Sequence, residues 1–562
     1  MQTEGLGRHL GAFLKSAGTR KDVEFIIACP SWTKKSIMAL CESEGINPNH
    51  FEIITPSSVS PILLGLYEAY RASQQYGRAF LRRLLDSSRK AKPRANRIRR
   101  HIAWLEKHLT GTRNPIVFLL LAAYALPLCI LALPFIILAV GIKAAWSLRR
   151  ILASSHPLNL YVRIRNRLSR SRYLAFTRRI IGPVLHNTSF NPKAFMAHLF
   201  NSMEEQEIQR LVKKINTKTN IQAWYTPAAF WPQFNDISAP GLMCVPDIVM
   251  TEFPTAFAQK GSEGLLHNFM ATEKAIRGSK HIVTYSETTK WEALVDQYSI
   301  NPDIIHVIHH APHNLSSPLS TSNAVSANTS TDHSNILLKT ALRKSTNPLH
   351  LINYANSNLR FIFYASQIRP SKNILTLLRA YEYLLRKRYV GHKLILTGDP
   401  DRTPEVESFI HSNNLHNDVL CLHGLTTPEL AACYRLAELA VNPTLSEGGF
   451  PFTFSEALSV GTPVVMSRIP VTEETITEPQ LQGMMLFNPY DWKNVAQKIE
   501  WALQNREALL QKQMPLYKKL KERTWDDVVS EHIHILERIS TPERAQTPDT
   551  SETILLERRR AV

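Results

Sequence analysis

The C-terminal part of the chain alternates short apolar runs with amphipathic stretches. Six continuous apolar runs predict buried strands at 360–366, 392–399, 418–424, 438–443, 462–467 and 483–489. Helical patterns separate them, at 373–388, 403–414, 427–438, 454–461 and 494–505. Continuous apolar strands joined by helices are typical of a parallel, doubly wound α/β sheet. In such a sheet a ligand binds at the carboxyl ends of the strands.

The N-terminal half shows the same alternation less regularly. Its apolar runs predict strands at 23–31, 51–58, 221–227, 242–250, 281–287 and 304–311, and residues 72–190 interrupt them. We therefore expect 1–58 and 191–311 to build one domain. The predicted organisation is an N-terminal domain over 1–312, a linker over 313–350, a C-terminal domain over 351–540 and a disordered tail over 541–562. The Ser-, Thr- and Asn-rich stretch 314–335 predicts a flexible surface loop.

Charge changes the picture within the interruption. Residues 78–113 hold 12 Lys and Arg against 2 acids, and residues 143–180 hold 10 against none. These two blocks account for the whole net charge of +19. The 29 residues of 114–142, which lie between them, carry no charge. A nucleic-acid-binding protein can show such a basic region, but an apolar run between basic blocks favours an anionic membrane surface as partner, and no nucleic acid.

The apolar segment 114–142 is long enough for one membrane-spanning helix. Both flanks are basic, however, and such flanks favour the cytoplasmic side. Pro127 and Pro134 interrupt the run, and a single span would divide the N-terminal domain between two compartments. We expect a monotopic or re-entrant attachment to the cytoplasmic face of the inner or plasma membrane. An integral protein with a transmembrane helix and a buried core hairpin are the alternatives.

The chain length and the positions of the cysteines argue against several other classes of protein. A chain of 562 residues is too long for one core. The six cysteines are scattered without a CxxC pair, which argues against a zinc site or a disulfide framework and indicates a reducing compartment. The N-terminus lacks the apolar core of a cleavable signal peptide.

The stretch SEGGFPFTFSEALSVGTPVV at 446–465 carries the densest candidate chemistry. Glu447 follows a predicted strand, where its carboxylate can accept hydrogen bonds from a ligand. Gly448 and Gly449 remove side chains, so that a ligand can approach the backbone N–H groups. The helix that follows presents the positive end of its dipole to a ligand at this place. Simple alternatives exist: the glycines also fit a turn, and Glu456 also completes a Thr-x-x-Glu capping box.

A second cluster is QIRPSKN at 367–373. Arg369 and Lys372 follow the first predicted strand of the C-terminal domain and open a helix. Arg supplies a planar fork of donors and Lys a point charge, so the two suit an anionic ligand. Surface cations at a helix start are ordinarily only solvated, but their position at a strand end favours a functional role.

Together these motifs resemble the GT-B glycosyltransferases, and within them retaining family 4. The resemblance is specific over 355–520 and loose in the N-terminal half. It implies two Rossmann-like domains facing a cleft, a nucleotide-diphosphate-sugar donor, and a lipid-linked or polysaccharide acceptor. It further implies a retaining hexosyltransferase of the mannose or glucose type in surface polysaccharide biosynthesis, with no metal or other cofactor.

The resemblance also implies roles for single residues. The catalytic residues would be Glu447, Arg369 and Lys372, and the two cations would hold the leaving diphosphate. Donor binding would involve Gly5, Gly7, Gly448, Gly449, Phe450 and Glu456, of which Glu456 would hold the ribose hydroxyls. Asp247 and Trp231 would lie on the acceptor side. Eight residues separate Glu447 from Glu456 where the family commonly has seven, and Pro246 stands where it often has His.

Two other functions are compatible with the same fold. One is a sugar-nucleotide epimerase, against which the basic, apolar insertion argues. The other is a catalytically silent membrane scaffold. Transfer or donor hydrolysis by the purified protein distinguishes an enzyme from a scaffold.

Overall fold

The computed structural model describes residues 5–69, 192–254, 263–317, 327–345, 349–354, 359–400 and 403–541, together with residues 108, 112, 117 and 347. Apart from three isolated positions, the predicted insertion over 72–190 lies outside these ranges, as do its apolar segment and residues 542–562 of the predicted tail. Within the described ranges, no helix is both long and apolar enough to cross a membrane. The membrane attachment therefore stays a prediction.

A four-stranded parallel sheet, here called the N-terminal sheet, forms the first core. Its strands are β3 (Trp224–Thr226), β4 (Gly241–Cys244), β5 (Ile282–Thr284) and β6 (Ile305–Val307), in the order β3-β4-β5-β6. The earlier strands β1 (Ile26–Ala28) and β2 (Glu52–Ile54) form a separate two-stranded sheet. Five of these six lie within predicted strands, and β4 begins one residue before the run predicted over 242–250. The run predicted over 242–250 stops at Cys244, since Pro246 and a short helix follow.

The helices of this half precede, separate and follow its strands along the chain. They are α1 (Gly5–Ala17), α2 (Lys34–Ser43), α3 (Pro192–Asn216), α4 (Val249–Glu252) and α5 (Glu263–Gly278), with a π-helix over Thr289–Gln297 and 3-10 helices over Pro48–His50, Pro232–Asp236 and Pro302–Ile304.

A six-stranded parallel sheet, here called the C-terminal sheet, forms the second core. Its strands are β7 (Phe361–Tyr364), β8 (Lys393–Thr397), β9 (Val419–Leu422), β10 (Leu439–Asn442), β11 (Val464–Ser467) and β12 (Leu486–Phe487). The order is β12-β11-β10-β7-β8-β9, so the chain reverses its direction of travel across the sheet between β7 and β10. Almost every strand residue is buried, which explains the continuous apolar runs.

Helices precede, separate and follow these strands along the chain. They are α6 (Ala327–Leu342), α7 (Leu349–Tyr354), α8 (Ile374–Lys387), α9 (Pro404–Ser412), α10 (Thr427–Leu436), α11 (Phe452–Ser459), α12 (Pro470–Thr475), α13 (Pro479–Met485), α14 (Trp492–Gln504), α15 (Arg506–Lys521) and α16 (Trp525–Ser540), with a 3-10 helix over Pro370–Lys372. The alternation of parallel strands and helices confirms the predicted α/β class.

Two local predictions were wrong. A helix, α6, occupies 327–335, where the sequence predicted a loop. It forms because its last turns bury Leu338, Ala341 and Leu342 in the C-terminal core, which outweighs the low helix propensity of Ser, Thr and Asn. The strand predicted over 483–489 is only two residues long, because α13 continues to Met485.

The last of the described helices, α16, returns to the N-terminal sheet. Val528 and Ile535 of α16 belong to one buried cluster with Leu242, Val283 and Ile308. Burial of these side chains holds α16 against the N-terminal sheet through the hydrophobic effect.

The chain divides into two compact units. One contains 1–26, 37–52 and 216–562, and thus both large sheets; the other contains 27–36 and 53–215. In the second unit the buried carboxylate of Glu207 accepts a hydrogen bond from the Ser31 backbone N–H at 3.0 Å. The residues that the sequence predicted to build one N-terminal domain are distributed over both units. The predicted domain bounds stay predictions.

Candidate functional site

The loop after β7 carries the two predicted cations. Arg369 is the N-cap of the short 3-10 helix that ends at Lys372. Asn373 then adopts a φ of 55°, and its side chain donates to the Pro489 carbonyl at 2.8 Å. Asn tolerates this left-handed conformation better than most residues. The turn thus fixes Lys372 at the carboxyl end of β7, directly before α8.

The loop after β10 brings Glu447 to Lys372. Because β7 and β10 are parallel neighbours, their loops leave the same edge of the sheet. The Leu445 N–H donates to the Ser371 carbonyl at 2.8 Å, and Lys372 Nζ donates to Glu447 Oε1 at 2.5 Å. Each side chain of this ion pair keeps about a fifth of its surface exposed (22% and 23%). The pair lies where the strand order reverses, the usual ligand position in doubly wound sheets.

Asp247, after β4, belongs to the same charged group. Desolvation by the surrounding protein raises the pKa of the Asp247 carboxyl, although the side chain keeps accessible surface. The positive charges of Lys372 and Arg369 lower the pKa of Asp247 in part, whereas the negative charge of Glu447 raises it. We call Arg369, Lys372, Glu447 and Asp247 the charged cluster. The structure therefore brings the predicted catalytic residues to one predicted acceptor-side residue.

The glycines next to Glu447 contact the N-terminal half. A Cβ atom on Gly448 would lie 1.4 Å from the Pro246 carbonyl oxygen, and one on Gly449 would lie 2.8 Å from Tyr285 Cβ and 3.1 Å from His310 Cδ2. Glycine is required here because backbone and side chains of the N-terminal half occupy the space of a side chain. This is a physical reason beyond the predicted approach of a donor, and it excludes a simple surface turn.

Two hydroxyl groups after β5 bind the Gly448 carbonyl oxygen. Ser286 Oγ donates at 2.8 Å and Thr289 Oγ1 at 3.0 Å. A further connection comes from Glu474, whose carboxylate accepts from the backbone N–H groups of Glu287 and Thr288, both at 3.0 Å. Sequence reasoning missed these residues, since Ser, Thr and Glu in a polar run give no motif signal.

Glu456 lies in the second turn of α11, because that helix begins at Phe452 after the N-cap Pro451. The capping-box alternative is therefore wrong. The Glu456 side chain is only 1% exposed, and its Oε1 accepts a hydrogen bond from Arg8 Nη1. His313 Nδ1 lies 3.7 Å from the same oxygen. The carboxylate that the resemblance assigns to the ribose hydroxyls is thus paired with a guanidinium in this structure. Its ribose role stays a prediction.

Arg8 lies in α1, whose first described residue is the predicted Gly5. The predicted Gly7 directly precedes Arg8. Arg8 was not predicted as a site residue, because its partner lies 448 positions away in the sequence. Proximity of Gly5 and Gly7 to a donor stays a prediction.

The predicted aromatic residues have packing partners. The Phe450 ring lies 5.2 Å from the Phe454 ring and packs against the C-terminal core. Trp231 Nε1 donates to Thr226 Oγ1 at 2.9 Å, and its ring lies 5.4 Å from that of Phe234. Within the described ranges no contact joins Trp231 to the charged cluster, so its acceptor-side role stays a prediction.

Four histidines surround the connection between the two halves: His9 and His532 are buried, and His310 and His313 are partly buried. Burial lowers the pKa of His310 and His532 to about 4 and that of His313 to about 3, and it lowers the pKa of His9 strongly. The His9 ring packs between Tyr285 and a tryptophan of α16, with centroids 4.9 Å apart in each case. These histidines are neutral near pH 7.

No group of three or more His, Cys, Asp or Glu side chains in the described part of the chain is arranged to hold a metal ion. The five cysteines within it are free.

Known proteins resemble parts of this chain. The family described as glycosyl transferases group 1 matches residues 350–524. The lipopolysaccharide 1,2-N-acetylglucosaminetransferase of Salmonella typhimurium is 23% identical over 26% of this chain and 48% of its own length. The O-antigen chain mannosyltransferase RfbU of the same organism is 23% identical over 46% and 60%.

Solved structures show a weaker likeness. The crystal structure of Anabaena Alr3699/HepE in complex with UDP and glucose is 18% identical, covers 59% of this chain and 81% of its own, and has a TM-score of 0.43. The chain spans about half the length of the curated relatives. The family match and the named relatives support the prediction of a glycosyltransferase enzyme. The part of the chain that holds Arg369, Lys372, Glu447 and Glu456 is therefore similar to the glycosyl transferases of group 1.

Proposed function

We propose that this protein is a retaining glycosyltransferase. It transfers a hexose of the mannose or glucose type from a nucleotide-diphosphate sugar to a lipid-linked or polysaccharide acceptor in surface polysaccharide biosynthesis. The observation that carries the proposal is the Lys372–Glu447 ion pair at the point where the strand order of the C-terminal sheet reverses.

The charged cluster suits a diphosphate leaving group. Arg369 and Lys372 lie beside the carboxyl end of β7, where they meet the negative charge that develops on the departing diphosphate. Glu447 holds the Lys372 ammonium and accepts hydrogen bonds from the donor sugar. With two cations in this place, no metal is needed to stabilise the leaving group.

The proposed reaction exchanges one bond for another at the sugar C1. The acceptor oxygen bonds to C1 on the face from which the diphosphate leaves, while the bond between C1 and the diphosphate oxygen breaks. The proton of the acceptor hydroxyl passes to a leaving phosphate oxygen. Configuration at C1 is thus retained without a protein nucleophile, and Asp247 orients the acceptor from the N-terminal side.

The named relatives and the sequence support the proposed acceptor class. Both curated relatives are named for lipopolysaccharide or O-antigen chains. The basic blocks and the apolar segment 114–142 supply attachment to the cytoplasmic face of an anionic membrane, where a lipid-linked acceptor is presented.

Donor binding is tested by thermal unfolding of the purified full chain with GDP-mannose, UDP-glucose, UDP-N-acetylglucosamine and ADP-glucose. At least one donor is expected to raise the melting temperature of the wild type, because a ligand that binds only the folded state stabilises it. The Lys372→Gln variant should lose this rise, whereas the exposed Lys387→Gln control keeps it. No shift with any donor would contradict the proposal.

A further inference from the structure

We propose that a cleft between β6, the π-helix Thr289–Gln297 and α16 binds an anionic amphiphile, that is, a phosphate-type anion attached to an apolar chain. Lys290 and Arg538 hold the anion, and aliphatic side chains of the cleft cover the apolar chain. None of the lining residues belongs to the charged cluster, so this inference does not depend on the proposed function.

The cleft lies beside the last described strand of the N-terminal sheet. Within the described ranges β6 has a neighbouring strand on one side only, and α16 packs against the same sheet. The volume of the cleft is about 550 Å³, which is within the range of small-molecule sites. The space is therefore large enough for a ligand and not only for a few waters.

Part of the lining is apolar. It consists of Ile305 and Val307 in β6, Ile308 directly after β6, and Ile535 in α16. Ile308 and Ile535 also belong to the buried cluster that holds α16 against the sheet, so the apolar surface of the cleft continues into the core. An apolar chain that covers this surface removes it from water, which favours binding through the hydrophobic effect.

The polar part of the lining carries positive charge without a negative partner. Arg538 Nη2 lies 3.2 Å from His306 Nδ1, and burial together with the Arg538 charge lowers the pKa of His306 to about 4. The His306 ring is therefore neutral near pH 7 and does not balance the charge of Arg538. Lys290 Nζ lies 5.2 Å from the centre of the Trp291 ring. Neither cation forms an ion pair with a carboxylate of the described residues.

The carboxylate among the described lining residues already has a partner. Glu531 accepts hydrogen bonds from Arg523 Nη1 at 2.7 Å and from Arg523 Nη2 at 2.8 Å, so its charge is balanced. The charges that remain for a ligand are those of Lys290 and Arg538. A guanidinium can donate to two phosphate oxygens at once, and a lysine adds a second positive charge. Cations beside aliphatic side chains therefore suit an anion that carries an apolar chain.

The test measures the binding of three soluble probes to the full chain by titration calorimetry. Dihexanoyl phosphatidate supplies the anion with apolar chains, inorganic phosphate supplies the anion alone, and dihexanoyl phosphatidylcholine supplies the chains without net charge. We expect the wild type to bind the phosphatidate more tightly than either other probe. The combined variant Lys290→Gln, Arg538→Gln should bind it about 10-fold to 100-fold more weakly, the range for hydrogen bonds to charged groups.

Two further variants separate this cleft from the basic blocks of the insertion, which also attract anionic lipid. Lys274→Gln, at an exposed position of α5, is the matched control and should bind like the wild type. Val307→Phe places a larger side chain in the cleft, so it should weaken binding of the phosphatidate and leave binding of inorganic phosphate unchanged.

Three results would overturn the inference. The combined variant might bind the phosphatidate as tightly as the wild type does, which would remove Lys290 and Arg538 as ligands. Inorganic phosphate might bind the wild type as tightly as the phosphatidate, which would exclude a contribution of the apolar surface. Equal binding of phosphatidylcholine and phosphatidate would exclude recognition of the anion. None of these readouts involves glycosyl transfer, so a failure here is distinguishable from a failure of the proposed function.

Discussion

At the scale of single residues, position in the fold decides what a charged side chain can do. Lys372 and Arg369 look like ordinary surface cations in the sequence, and only their place after β7 brings them to Glu447 and Asp247. The sequence predicted these residues because the motif sits at a strand end. It could not predict Arg8, since no local pattern connects the first helix with α11.

Replacing either predicted cation should reduce turnover far more than stability. We expect Lys372→Ala and Arg369→Ala each to lower the transfer rate at least ~10²-fold, the scale of losing one electrostatic stabiliser of a transition state. Lys372 is partly exposed and Arg369 exposed, so the melting temperature should hardly change. Initial rates and thermal unfolding check this, with Lys387→Ala as the control. Near-normal turnover in either variant would remove its diphosphate role.

Gly448 should not tolerate a methyl group. The added Cβ of Gly448→Ala would meet the Pro246 carbonyl oxygen, a backbone atom that cannot rotate away. We expect a lower melting temperature and a loss of activity, because the loop after β10 must shift together with Glu447. Gly391→Ala is the matched control, since nothing lies within 4 Å of a Cβ there. An unchanged Gly448→Ala enzyme would show that the close approach is not required.

At the scale of elements, the hydrophobic pattern predicted the strands better than it predicted the helices beside them. The buried strands of the C-terminal sheet appear as continuous apolar runs, so their existence and order along the chain were predictable. The α6 helix was not, because its Ser- and Asn-rich first turns depend on burial of Leu338 and Leu342 against distant residues. The start of α11 was also unpredictable from its capping pattern, and this changed the interpretation of Glu456.

The four histidines between α1, α11 and α16 should make stability depend on pH. Their folded-state pKa values lie below the ordinary 6.5, so the unfolded chain binds more protons in mild acid. Stability is therefore fully present above about pH 6.5 and falls as the pH drops from there toward 4. Urea unfolding at pH 7.5 and 5.5 measures this loss. His310→Asn should reduce the loss, whereas the exposed His411→Gln should not.

At the scale of the whole molecule, the two large sheets of one compact unit are joined at several points. The α16 helix packs on the N-terminal sheet, and the glycines after β10 approach the loops after β4 and β5. Sequence pattern alone predicted two parallel sheets, without the order of their strands. The contacts between them depend on residues that are far apart in the chain, which no periodicity reveals.

The insertion should control membrane attachment separately from chemistry. We expect deletion of 114–142 to release the protein from anionic vesicles at high salt, because the remaining basic blocks bind only electrostatically, at about 1 kcal/mol per charge near the surface. The intact chain should resist the same wash, since buried apolar area does not depend on counterions. Vesicle sedimentation measures both. Salt-resistant binding of the deletion variant would contradict this role of the segment.

The most direct test of a retaining glycosyltransferase is the configuration of its product. Purified full chain is incubated with GDP-α-mannose, UDP-α-glucose and UDP-α-N-acetylglucosamine, each with short alkyl glycosides as acceptor probes, and the new linkage is read by proton NMR. We predict an α-linked product from at least one donor, formed by the wild type and lost in Lys372→Ala. A β-linked product would show inversion and contradict the mechanism, and no transfer from any donor would contradict the enzyme itself.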